Sequence, residues 1–212
     1  MTRLEKDGRK MENSLVQILH TAGQAIRIPC NIVLIILMII TVVQVGHVIV
    51  ESGFEIRHGR VDSIALSKEL YGKEADEQLK LIMESGLNRQ EKDMLRELIS
   101  AGSMNGDMRQ AVAERLLEKQ EARYGKILHV TELVAKLGPM FGLLGTLIPL
   151  GPGIVALGTG DVETLSVSME MAFDTTIAGV ISAAVCSVLT GVRKRWYNRN
   201  MQNIRLIMES LL

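Results

Sequence analysis

The chain has 212 residues, and lysine plus arginine equals aspartate plus glutamate at 24 each, so net charge gives no argument for nucleic acid or an acidic substrate as partner. Its apolar residues are gathered in three blocks instead of being spread along the sequence, which points to a membrane protein in contact with a lipid bilayer. Cys30 and Cys186 lie far apart in or beside apolar segments, which argues against a disulfide framework or a paired-cysteine metal site and leaves them as small apolar fillers.

Residues 1–30 place Leu15, Ile18, Leu19, Ala22 and Ile26 at helical spacing, which predicts an amphipathic helix lying along the membrane interface and ended by Pro29. Residues 31–50 carry no formal charge, enough at 1.5 Å per residue to cross roughly 30 Å of hydrocarbon. This first span starts too late for a cleaved signal peptide, and no small-residue cleavage site follows it. Residues 51–136 alternate charges with leucine, isoleucine and methionine at intervals of three and four, which predicts helices broken at Ser85-Gly86 and at 101–106. Asn88 with Glu91 reads as a helix N-cap and its reciprocal acid, and Asp107 is expected to cap the next helix in the same way. No proline follows Asp107 until Pro139, so that helix should run straight into the second span. Fifty continuous helical residues would measure roughly 75 Å, far more than a bilayer.

The second span, 137–157, and the third, 166–192, form a hairpin across an outer turn at 158–165, followed by a tail at 193–212 that opens on Arg193, Lys194 and Arg195. The fold class expected is an all-α integral membrane protein with three transmembrane helices and long helices extending into a cytoplasmic helical domain. The stretch from Glu51 to Val134 holds 13 lysines and arginines and the tail five, whereas the hairpin turn has none. Basic residues resist translocation, so both basic segments are placed in the cytoplasm and the turn and N-terminus outside.

Span two, LGPMFGLLGTLIPLGPGIVAL, has Gly138, Gly142, Gly145, Gly151 and Gly153 to let helix backbones approach closely, and Thr146 as its only hydroxyl. Pro149 and Pro152 should bend it and free the carbonyls of Gly145 and Ile148. On span three Ala172, Gly179, Ala183, Ser187 and Thr190 fall within about 60° of Thr176, backed by Ile177, Ile181, Val185 and Val188. That stripe suits a helix lining a pore, with ordinary small-residue packing between spans as the alternative. About 20 residues outward from Arg193 the bilayer ends near Asp174, so Glu170 and Asp174 are read as interfacial or pore-mouth acids in preference to proton carriers. His20, His47, His58 and His129 are scattered, and no nucleophile, base and orienting group can be assembled, so no enzyme activity, metal or cofactor is expected.

GLLGT at 142–146, followed by Ala172-Phe173, Thr176 and Gly179, resembles the pattern of the MotA/TolQ/ExbB proton-channel family, and the three-span layout is similar to its TolQ/ExbB branch. The resemblance implies a homopentamer walled by the last two spans around single-span ExbD/TolR-like partners that supply an essential membrane aspartate. It further implies that Thr146 and Thr176 offer pore-facing hydroxyls near that aspartate, in the prokaryotic cytoplasmic membrane and with no nucleic acid involved. There are departures: Met171 stands where a glutamate is often found, with Glu170 next to it, Pro149 where a glycine is common, and Val185 where a proline is common. The function expected is the channel-forming subunit of a motor driven by the proton-motive force. The competing reading is a non-conducting membrane scaffold that recruits soluble partners through its cytoplasmic helices.

Overall fold

A computed structural model describes the backbone of residues 3–57 and 62–212, and side chains from residue 21 onward except at 22, 24, 54–61 and 103. Among the described residues six α-helices follow one another: α1 (Arg3–Arg57), α2 (Ser63–Leu70), α3 (Ala75–Glu84), α4 (Arg89–Ser100), α5 (Gly106–Thr159) and α6 (Val162–Leu211). A single 3-10 turn, Ala101–Ser103, follows α4, and the described residues contain no strand. Among the described residues three helices are long and apolar enough to cross a membrane: the Ala25–Gly53 part of α1, α5 and α6.

The sequence predicted that Pro29 would end the first helix, but α1 passes through it unbroken. One backbone donor is lost there, but the segment that follows is apolar, and backbone groups in a lipid environment are satisfied only by staying helical. The faces expected for Leu15, Ile18, Leu19 and Ala22, and the side chains of His20 and His58, lie outside the described residues. Helix α5 continues past Pro139, Pro149 and Pro152 in the same way and joins the charged middle of the chain to the second apolar block without a break. The hairpin turn is shorter than expected, because α6 already begins at Val162. Gly160 makes the reversal with φ +76°, a left-handed conformation that favours glycine. Asp161 then caps α6, accepting from the Thr164 N–H at 3.1 Å, and its hydrogen bonds with Thr164 hold its carboxyl below the usual aspartate value.

The chain divides into two compact units. The first comprises residues 1–43 and 132–187. Its buried cluster is small: Leu37, Val134 and Cys186, flanked by Val33, Ile40, Leu137 and Phe141. Most of its large apolar side chains face outward, including Ile32, Ile35, Ile36 and Ile39 on α1 and Ile177 and Ile181 on α6. A water-soluble unit would not leave so much branched aliphatic surface uncovered.

The second unit, residues 44–131 and 188–212, is built the other way round. Leu70, Ile82, Leu95, Leu98, Ile204, Ile207 and Met208 are all but fully buried in one core shared by α2, α3, α4, the start of α5 and the end of α6. The expected breaks are present, since α3 stops at Glu84 and α4 at Ser100. The Glu91 carboxylate accepts from the Asn88 backbone N–H at 2.9 Å, closing the expected reciprocal cap. Asp107 is not a cap: α5 begins at Gly106, the Asn105 carbonyl accepts from the Arg109 N–H, and Asp107 sits inside the first turn, where its charge meets the positive helix end. The C-terminal segment, expected only as a basic tail, is the last part of α6 and supplies Ile204, Ile207, Met208 and Leu211 to the core.

Candidate functional site

Within the first unit α5 and α6 pack backbone against backbone. A Cβ built on Gly138 would stand 2.6 Å from the Gly179 carbonyl oxygen and 3.0 Å from the Ala183 Cβ. On Gly142 it would meet the Gly179 Cα at 3.5 Å and the Thr176 Cα at 3.6 Å. On Gly145 it would run into the Thr175 Cβ, and on Gly153 it would reach the Ser168 Cβ at 3.2 Å. The partners step backwards along α6 as the glycines step forwards along α5, the register of an antiparallel hairpin held by small residues. Gly151 takes no part, with nothing within 4 Å of its Cβ position.

This contact involves part of the predicted stripe. Gly179 and Ala183, expected to line a pore, are buried against α5, and Ala172 is buried as well. Within one chain, the part of that side that carries Gly179 and Ala183 meets the neighbouring span. Thr146 and Thr176 are half-buried, and Ser187 is exposed. The Thr146 hydroxyl donates to the Leu143 carbonyl at 2.7 Å and the Thr176 hydroxyl to the Ala172 carbonyl at 3.0 Å, each on its own helix. A hydroxyl oxygen that has spent its proton this way still has lone pairs with which to accept. Thr175, which sequence reading passed over, is the threonine that fills the space left by Gly145. Pro149 is buried and Pro152 half-buried, while Glu170 and Asp174 are exposed on the side of α6 that carries Ile177 and Ile181.

The second unit holds a polar cluster that sequence reading missed. Arg193, taken as the basic boundary of the third span, is only 2% exposed. Its Nε donates to Glu51 Oε2 at 3.1 Å and its Nη1 to Gln44 Oε1 at 2.7 Å, and the Tyr197 hydroxyl donates to Glu51 Oε1 at 2.9 Å. Burial, followed by the bond to Glu51, drives the Tyr197 phenol far above the usual tyrosine value. Its ring stacks on Tyr124 with centroids 4.1 Å apart, and Asn200 donates to buried Glu91 at 2.7 Å. The signal was available: Gln44 and Glu51 are seven residues apart and so share a face of α1. Among the described residues no histidine, cysteine, aspartate and glutamate side chains gather into a group that could hold a metal ion.

Among the described residues, three helices long and apolar enough to cross a membrane, two of them closed into a glycine-packed hairpin with hydroxyls at its edge, define a helical protein of the membrane-spanning type. The model of the MotA/TolQ/ExbB proton channel family matches residues 74–206, well over half of the sequence, and the chain belongs to that family. No curated protein and no solved structure gives a match.

Proposed function

We propose that this chain is the channel-forming subunit of a complex driven by the proton-motive force, of the three-span TolQ/ExbB kind. In this reading it sits in a prokaryotic cytoplasmic membrane with its N-terminus outside and its C-terminus in the cytoplasm. It assembles as a homopentamer around single-span ExbD/TolR-like partners that bring the membrane aspartate. The observation that carries the reading is the α5–α6 hairpin, which lies inside the family match and has Thr146 and Thr176 at the edge of its glycine contact.

The hydroxyls have a defined part. Each donates to a carbonyl one turn earlier, so its oxygen is left to accept, and an accepting oxygen favours a protonated carboxyl or a water over a carboxylate. A carboxylate arriving beside Thr176 would draw the hydroxyl off the Ala172 carbonyl by rotation about one bond. The two protonation states of the partner's aspartate would therefore prefer different hydroxyl settings, although neither threonine titrates. Ser187, exposed about three turns further along α6, extends the hydroxyl path, and Glu170 and Asp174, on the opposite side of α6 toward its outer end, hold charge beside the outer mouth without lining it. Gly142, Gly145, Pro149 and Pro152 hold and shape the helix that carries Thr146. Each charge crossing 100 mV releases about 2.3 kcal/mol, so several protons per cycle supply useful work.

Thr176→Val tests this. Native membrane vesicles carrying the variant should hold the same assembled complex on native gels and lose most of the proton flux seen by a pH-sensitive dye. Flux unchanged from wild type would contradict the mechanism. The scaffold reading draws on a single observation, that Gly179 and Ala183 are buried in helix contacts within one chain. An intact wild-type oligomer purified without any single-span companion, and as impermeable to protons as protein-free lipid, would favour it.

A further inference from the structure

The Arg193 cluster is not used by the channel reading. A guanidinium buried to 2% exposure is tolerable only with a carboxylate and further acceptors around it. Both acceptors that satisfy it come from α1, Glu51 from one turn and Gln44 from two turns earlier, and Tyr197 on α6 donates to the second oxygen of Glu51. Three directional bonds thus tie α1 to α6 in the second unit.

The apolar contacts of α1 cannot do the same work. Ile32, Ile35, Ile39, Val42 and Val43 are exposed, and Leu37 is one of the few apolar side chains of this stretch that is buried. A nearly uniform aliphatic helix loses little when it slides by one turn over its neighbour. The polar pair loses a great deal. A slip of four residues puts Val48 and Glu55, or Ile40 and His47, in the places of Gln44 and Glu51; a slip of three puts His47 and Phe54, or Thr41 and Val48, there. No one-turn slip supplies both an amide and a carboxylate to Arg193.

We infer that Glu51, with Gln44, Arg193 and Tyr197, is a register lock: a set of positioning residues that fixes the height and rotation of α1 on α6. Uniquely placed buried polar groups are the best-attested device for specifying register between helices. The assignment holds whether or not the chain conducts protons.

Thr41 and Cys186 report on the register, because the Thr41 hydroxyl and the Cys186 thiol lie 3.5 Å apart in the first unit and α1 is one unbroken helix. In a Cys30→Ala background, Thr41→Cys should form a disulfide with native Cys186 on treatment of membranes with copper phenanthroline, read as loss of maleimide-polyethylene-glycol labelling after denaturation. Glu51→Arg alone, or Arg193→Glu alone, places like charges together and should slow the cross-link about ten-fold or more, or deplete the protein from the membrane. The exchange of both, Glu51→Arg with Arg193→Glu, should restore cross-linking and abundance to within about two-fold of the parent, since the Gln44 amide can turn to donate and the Tyr197 hydroxyl to accept. Single variants that cross-link at the parental rate would overturn the inference. So would an exchange variant that does no better than the singles.

Discussion

A valine placed at Gly179 has no space: even a Cβ there collides with the Gly138 carbonyl and presses on the Gly142 backbone. Overpacking of this kind typically costs about 1–3 kcal/mol, so Gly179→Val should lower the melting temperature of the purified protein in detergent by several degrees. Gly151→Ala, with open space at its Cβ, should leave it unchanged or raise it slightly, because alanine favours helix. Equal melting of the two variants would mean that the hairpin is not held by this contact. The glycines and the side of α6 they meet were legible in the sequence, since helical spacing sorts residues by direction. What the spacing could not give was the identity of the neighbour. A stripe of small residues fits both a pore and a close helix contact, and Gly179 and Ala183 went to the contact while Thr146, Thr176 and Ser187 remained at or beyond its edge.

At the scale of the element, the last turns of α6 decide whether the second unit has a core. Ile207 is fully buried with Leu98 and Leu95 in the same cluster, and Ile207→Ala should cost about 2–5 kcal/mol. Unfolding followed by the fluorescence of Trp196, the sole tryptophan, would measure it, and a change under about 0.5 kcal/mol would show that the C-terminal turns do not pack as described. The helices themselves were readable from their three-and-four spacing, as were the cap at Asn88 and Glu91 and the unbroken entry of α5 into its apolar half. Two features were hidden by local signals that tertiary structure overrode. Pro29 reads as a stop, but a helix leading into an apolar block gains by continuing. The run Arg193, Lys194, Arg195 reads as a solvated boundary, yet Arg193 turns inward because Glu51 and Gln44, distant in sequence, are there to receive it. No single-helix pattern contains that partnership.

At the scale of the whole molecule, two units with opposite surfaces share one chain. One buries little and shows aliphatic side chains outward, and the other hides its leucines and isoleucines in a core. The first is the composition that lipid tolerates and the second the one that water requires. The family match spans α3 through most of α6 and leaves α1 outside it, so the hairpin and the helical middle carry the family character. The proposal adds that several copies bring their hairpins around a wet passage and that a companion's carboxylate moves within it. The most direct test is a density map of the oligomer purified from native membranes at a resolution that shows side chains. The account predicts a central cavity bordered by α5 and α6 of every copy, with the hydroxyls of Thr146 and Thr176 turned toward it and a single-span companion inside. Hydroxyls facing lipid, or sealed between helices around no cavity, would contradict it.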